Sequence, residues 1–281
     1  MNQEGKSGVS VLSEEASEAG TLVLRVAYDG GAYSGFAEQP QPDVHTVAGE
    51  LRRGLETFLR RGVDLTCAGR TDAGVHALAQ YVSMPATAEE LAIPRRRWLR
   101  AMDALLPRDV AVGEVYHAPQ GFSARFDARA RTYVYRIADR PDRPVLTRGH
   151  VWWHRFPLDE QAMLEGAQHL IGEHDFKSFC KVASAIDKPT CRNVMNVGFE
   201  RTCELGEDVL AFTITGNAFL HSMVRTVVGT LVEVGTHRRS PSWVADALAA
   251  CERTAAGPTA PACGLTFAGV TYDEGVLIPV E

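Results

Sequence analysis

The densest chemical cluster in this 281-residue chain is Gly69-Arg70-Thr71-Asp72-Ala73-Gly74-Val75-His76. Two glycines bracket an arginine and an aspartate, and glycine permits a tight backbone and close approach by a bulky group. A guanidinium two positions from a carboxylate favours its ionised form. A carboxylate kept charged in a basic pocket can act as a general base or a nucleophile. Taken alone, Arg-x-Asp in a glycine-rich loop reads equally as an Asx-turn or a capping aspartate with an incidental arginine. A second cluster is Arg131-Thr132-Tyr133-Val134-Tyr135-Arg136. Aromatics interleaved with arginines on a strand can stack on nucleobases while the cations hold phosphates. The plainer reading is a pair of core tyrosines. The third is Phe219-Leu220-His221-Ser222-Met223-Val224-Arg225. It sets Arg225 in an otherwise apolar helix face, where the guanidinium must snorkel to water or find a partner.

Other chemistries lack the spacing they need. His150 and His154 stand four apart, but Val151-Trp152-Trp153 between them reads as a strand, and His169, His174 and Cys180 show no ligand spacing. No metal site is expected. Gly-Lys-Ser/Thr, the dinucleotide fingerprint and Gly-x-Ser-x-Gly are all missing. The six cysteines contain no Cys-x-x-Cys pair. Residues 1–20 are polar and acidic, without the basic start and apolar run of a secretory signal. No stretch of 18 residues is uniformly apolar, and the uncharged run 254–272 is broken by Gly, Pro and Thr, so no membrane span is expected. These features predict a cytoplasmic protein with reduced thiols and a disordered leader over 1–20.

The elements that must position these clusters follow from periodicity. Leu22–Ala27 alternates as a strand does. Asp29–Gly35 is turn chemistry, and Thr46 can cap a helix with Val47, Leu51, Leu55, Phe58 and Leu59 on one face. Cys67–Ala77 is a loop followed by a strand at Gln80–Met84. A basic helix at Arg95–Leu106 ends at Pro107, and Val110–Tyr116 is a strand. Phe122–Ala138 is a basic tract running into a strand. The second half predicts helices at Asp159–Ile171, Phe219–Val234 and Pro241–Cys251, and strands at Val194–Arg201, Val209–Thr215 and Leu265–Tyr272. Each half thus offers a few strands and about two helices. An α+β protein of two similar lobes follows, with antiparallel sheets and helices on one face.

Acids outnumber bases by 35 to 29 and the net charge is −6, which by itself argues against a nucleic-acid binder. The average conceals a division. Arg52 to Arg155 carries 18 bases and 11 acids, net +7, and the remainder is net −13. Of the 29 bases 25 are Arg, whose forks match phosphate and stack on bases better than Lys; a high-GC genome would enrich Arg too. A positive cleft around Asp72 is therefore expected in an acidic protein.

Six segments, in order, resemble the TruA family of tRNA pseudouridine synthases. Tyr28–Phe36 (YDGGAYSGF) resembles its opening motif, and Gly69–Ala77 (GRTDAGVHA) its signature loop. FSARFDARARTYVYRI, HDFKSFC, FLHSMVRTVVG and APACGLTFAGVTY resemble its later elements. Phe36 replaces a common Trp, and Asp103 an Asn. The resemblance implies a two-lobed, pseudo-symmetric pseudouridine synthase fold. Residues 21–150 would form an N-terminal catalytic lobe carrying the aspartate loop, and 151–281 a C-terminal lobe completing the cleft. It implies Asp72 as catalytic residue, Tyr133 as the tyrosine packing on the target uracil, and Arg70 and Arg225 around the carboxylate and the flipped nucleotide. The implied partners are tRNA, at uridines 38, 39 and 40 of the anticodon stem-loop, and a second copy in a homodimer, with no DNA and no membrane. The product is an isomer of the substrate, so no cofactor is required. The carboxylate could add covalently or take the 2′ proton to give a glycal. A non-catalytic RNA-binding module and an Asp-dependent hydrolase are the alternatives. The first has no use for a carboxylate in a basic cleft, and the second needs a metal or a second acid.

Overall fold

A computed structural model describes residues 19–41, 43–186 and 188–281; most of the 1–20 leader lies outside the described residues. The chain begins with strand β1 (Gly20–Tyr28) and helix α1 (Val47–Leu59), then β2 (Thr66–Cys67) and β3 (His76–Ala86). Helices α2 (Ala88–Leu91) and α3 (Arg95–Leu105) lead to β4 (Val110–Ala118), β5 (Ala130–Asp139) and β6 (Trp152–His154). Next come α4 (Glu160–Gln168), β7 (Gly172–Asp175), α5 (Val182–Ala185), β8 (Cys191–Glu204) and β9 (Glu207–Gly216). The chain closes with α6 (Met223–Gly235), α7 (Trp243–Ala250), β10 (Leu265–Thr271) and β11 (Ile278–Pro279).

The fold is α+β, as expected, and its sheet is continuous. Eleven strands run β11-β4-β1-β3-β10-β5-β9-β8-β7, with β2 beside β3 and β6 beside β5. Two antiparallel sets, β4-β1-β3 and β5-β9-β8, are joined through β10. That strand pairs antiparallel with β5 but parallel with β3, matching Thr266 to His76 and Phe267 to Ala77. The parallel joint therefore meets the chain just after Asp72.

Alternation along β1 sends Leu22, Leu24 and Val26 into the main core with Leu51, Leu55, Trp98 and Met102 of the helices. Val23 points the other way, into a smaller cluster with Phe122. Thr46 caps α1 by accepting the Gly49 N–H, and Asp159 caps α4 by accepting that of Ala162. Helix α2 has no long apolar pattern; a Thr87–Glu90 capping box closes it. One departure from periodicity is in α6. It begins at Met223 rather than Phe219, because Ser222 turns to φ 60°, ψ 9°.

Candidate active site

Asp72 lies on the connection from β2 to β3, which is fixed from below. Buried Gln80 of β3 takes the Gly69 N–H on Oε1 and donates from Nε2 to the Gly69 carbonyl. The hydroxyls of Tyr28 and Thr71 share a hydrogen bond of 2.7 Å. The turn after β1 packs against the same loop. Phe36 N–H donates to the Thr71 carbonyl at 3.1 Å, and Gly74 N–H to that of Tyr33 at 3.3 Å. Gly35 has φ +108°, and a Cβ there would lie 2.9 Å from the Thr71 carbonyl oxygen. This glycine admits another stretch of the chain's own backbone.

Asp72 itself is held from α6. Its Oδ2 accepts from Ser222 Oγ at 2.8 Å and from Arg225 Nη1 at 3.0 Å, and its Oδ1 lies 3.3 Å from His221 Nε2. Arg225 does more than neutralise. Its Nε donates to the Ala260 carbonyl at 2.8 Å, while Ala260 N–H donates to the Arg225 carbonyl at 3.0 Å. The guanidinium that would snorkel from an apolar helix has found its partner 153 residues away.

These groups open into a cavity of about 840 Å³, within the range of small-molecule sites. Among the described residues Asp72 is the one carboxylate of its lining, against Lys181, Arg225 and Arg253. The surroundings of Asp72 are therefore positive, but the source differs from the charge division in the sequence. All three cations come from outside the basic Arg52–Arg155 stretch. The bases of that stretch mostly decorate helices α1 and α3 and the outer loops.

Of the residues singled out by sequence, Asp72 and Arg225 are brought into contact. Arg70 is exposed and forms no ion pair among the described residues; Arg225 occupies the place at the carboxylate that proximity suggested for Arg70. Tyr133 is buried, its ring 5.2 Å from Phe219 in an edge-on contact and 4.8 Å from Phe267. Burial foremost, with the Asp72 charge adding, pushes its phenol well above the usual range. Tyr135 is fully buried and donates to the Pro261 carbonyl, as a core tyrosine. The flanking arginines are not free for phosphate. Arg131 is buried on the carbonyls of Ala68, Arg125, Ala128 and Asn217, and Arg136 pairs with Glu204 at 2.6 Å.

Sequence reasoning missed Lys181, Arg253 and the roles of His221 and Ser222. The last two lie inside the Phe219–Arg225 string, where a serine before a helix is a cap signal. Lys181 and Arg253 carried no local signal. Lys181 reaches the cavity because its N–H bonds the His221 carbonyl at 3.2 Å. Among the described residues, one trio that could share a metal ion is Asp29, His76 and His150, with ligand atoms within 4.8 Å of one another. Their spacing in sequence hides them. Burial and neighbouring His150 hold His76 toward its neutral form. Its Nδ1 accepts the Gly30 N–H at 3.1 Å and its Nε2 faces the Cys263 carbonyl at 3.2 Å, so both ring nitrogens are already engaged within the protein. Among the described residues, no helix is long and apolar enough to cross a membrane.

A family model described as tRNA pseudouridine synthase matches residues 25–127 and 167–273. A tRNA pseudouridine synthase A of Herminiimonas arsenicoxydans is 38% identical over 279 residues, covering 98% of this chain and 96% of that protein. One from Brevibacillus brevis is 40% identical over 247 residues, 88% of this chain and 97% of the relative. One from Halalkalibacterium halodurans is 41% identical over 255 residues, 90% and 93% of the two chains.

Proposed function

Because the chain belongs to the tRNA pseudouridine synthase family, and so is an isomerase that forms pseudouridine in tRNA, we propose that it acts at uridines 38, 39 and 40 of the anticodon stem-loop with Asp72 as the catalytic carboxylate. The observation that carries the assignment is the hold on Asp72: one carboxylate, fixed by Ser222 and Arg225, at the wall of a positive cavity.

The reaction breaks the N1–C1′ bond, turns the uracil and rejoins it through C5. The C5 proton leaves and N1 gains one, so atoms and electrons balance within the nucleotide. A uridine inside a stem must leave its stack to be reached. Once flipped, it would meet Asp72 with C1′, C2′ or C6 within reach of Oδ1, since Oδ2 is committed to Ser222 and Arg225. Those two donors hold the carboxylate oriented before substrate arrives, which is how preorganised polar groups lower a barrier. Tyr133 would replace lost stacking once Phe219 turns aside, and exposed Arg70 would grip the backbone of the RNA. The enzyme would work in the cytoplasm as a homodimer, a state that analytical ultracentrifugation reads directly.

The test is release of tritium from tRNA whose uridines are labelled at C5, without added metal. Wild-type protein releases it, because rejoining through C5 displaces the C5 hydrogen and the assay contains no methyl donor that could substitute C5 instead. Asp72→Asn abolishes release while tRNA binding survives. Retained turnover in that variant would remove Asp72 from the chemistry, and a transcript lacking uridine at 38–40 that still releases label would move the target.

A further inference from the structure

Arg253 stands at the wall of the Asp72 cavity and forms no ion pair among the described residues. Its Nη1 donates to the carbonyls of Gly257 at 2.9 Å and Ala256 at 3.5 Å, and its Nη2 to Thr259 Oγ1 at 3.1 Å. These acceptors carry no formal charge, so the guanidinium charge is left uncompensated. They also leave Nε–H, and one of the two hydrogens on neighbouring Nη2, without a partner among the described residues. That adjacent pair is the edge of the fork that bonds an oxyanion in bidentate fashion.

The segment holding Arg253 is itself locked. Gly257 N–H donates to Thr230 Oγ1 at 2.9 Å, and a Cβ on Gly229 of α6 would lie 1.8 Å from the Pro258 carbonyl oxygen. Three residues further on, Ala260 is clamped by Arg225. One rigid loop thus fixes both arginines, Arg225 on Asp72 and Arg253 at the cavity wall. A loop staple needs the three bonds Arg253 makes and no more. It accounts for neither the open edge of the fork nor the uncompensated charge on a cavity wall.

We infer that Arg253 binds a phosphodiester oxygen of the RNA directly beside the uridine seated against Asp72; this rests on the tRNA reading above. The uracil is neutral, but a uridine within a chain brings an anionic phosphate on each side. A guanidinium held in place in advance on the cavity wall takes up one of them with little ordering cost.

The experiment measures the dissociation constant for an unmodified tRNA transcript across a salt series, using full-length protein. In a log–log plot, Arg253→Gln lowers the salt slope by about 1, the signature of one lost phosphate contact. Arg253→Lys keeps the slope, since charge alone sets it, and loses a few-fold in affinity with the fork. A staple would move thermal stability in both variants and leave both slopes at the wild-type value, and that result overturns the inference. A second arm uses only wild-type protein and does not depend on a variant folding. RNA with a single neutral methylphosphonate on either side of the target must show the slope drop at one of the two linkages; a drop at neither overturns it. Failure of wild-type protein to bind tRNA or release label would instead sink the tRNA reading itself.

Discussion

Ser222 Oγ donates to Asp72 Oδ2 across 2.8 Å from a backbone held at φ 60°, ψ 9°. The residue sits immediately before α6, where a serine oxygen ordinarily accepts an N–H of the first turn. Here it makes no such capping bond. The left-handed conformation costs a non-glycine residue about 1–2 kcal/mol. Cap and relaxed backbone are both forgone at the residue that orients the carboxylate, the pattern expected where strain serves a site.

Two substitutions separate the strain from the bond. Ser222→Ala and Ser222→Gly both remove a charge-assisted hydrogen bond worth about 1.5–3 kcal/mol, so both lower kcat by about 10- to 100-fold. Their stabilities differ. Glycine tolerates the left-handed backbone and should melt above alanine, by a difference of about 1 kcal/mol. Denaturant unfolding and tritium release on the same preparations check this. Activity that tracks stability across the pair would mean that Ser222 acts only as structure.

Arg225 joins Asp72 to Ala260, with both ion-pair side chains about one-fifth exposed at 19% and 20%. Removing one partner of a fully buried pair costs about 3–5 kcal/mol, and the partial exposure places Arg225→Gln at or below the low end. The variant should also lose turnover, because Asp72 is left with Ser222 and His221 alone. Arg225→Lys retains the charge but cannot bridge Asp72 and Ala260 together. It should recover part of the activity and little of the stability. Equal recovery of both would show that charge, and not the two-ended fork, is what the site requires.

Tyr133 is packed between Phe219 and Phe267, so a uracil gains its ring face only when Phe219 yields. Tyr133→Phe keeps the ring and should bind and turn over better than Tyr133→Ala, which forfeits stacking of about 1–3 kcal/mol and leaves a core cavity besides. Equal kinetic losses in the two variants would assign the role to the hydroxyl. Phe219→Ala provides the complementary check: if stacking is the task, opening the ring face should lower KM or leave it unchanged.

How far the sequence reached depends on the range of the interaction. Thr46 as a cap and the Val47–Leu51–Leu55 stripe of α1 were legible because both are set within a few residues. Asp72 was legible as a carboxylate in a glycine-bracketed loop. Its partner was not legible from spacing, where proximity favoured Arg70; the family resemblance alone pointed to Arg225, which the β3–β10 joint and the α6 terminus bring to the carboxylate. The same limit applied to charge. The basic stretch could be counted, but the three cations of the cavity come from the acidic remainder and are gathered by folding. Arg131 looked like a phosphate ligand because nothing local reveals that four backbone carbonyls will surround it.

A last prediction concerns acid stability. Glu207, at the start of β9, accepts from Thr147 Oγ1 and from the N–H groups of Val145 at 2.8 Å, Leu146 at 3.3 Å and Thr147 at 2.9 Å. Foremost the Thr147 hydroxyl, then these backbone donors, hold its carboxyl down at about 2, against an ordinary 4.5. A carboxylate depressed in the folded state contributes stability that is complete above its unfolded pKa and is lost as pH falls toward the folded one. Its contribution should therefore be whole above about pH 5 and decline from 4.5 toward about 2. Glu207→Gln removes the charge and turns an amide –NH2 toward donors it cannot accept from. The gap in unfolding midpoint between wild type and variant should be constant near neutrality, narrow below pH 4.5 and nearly close by pH 2. A gap that stays constant through the acid range would mean that the loop around Thr147 is held by shape rather than by the ionised carboxylate.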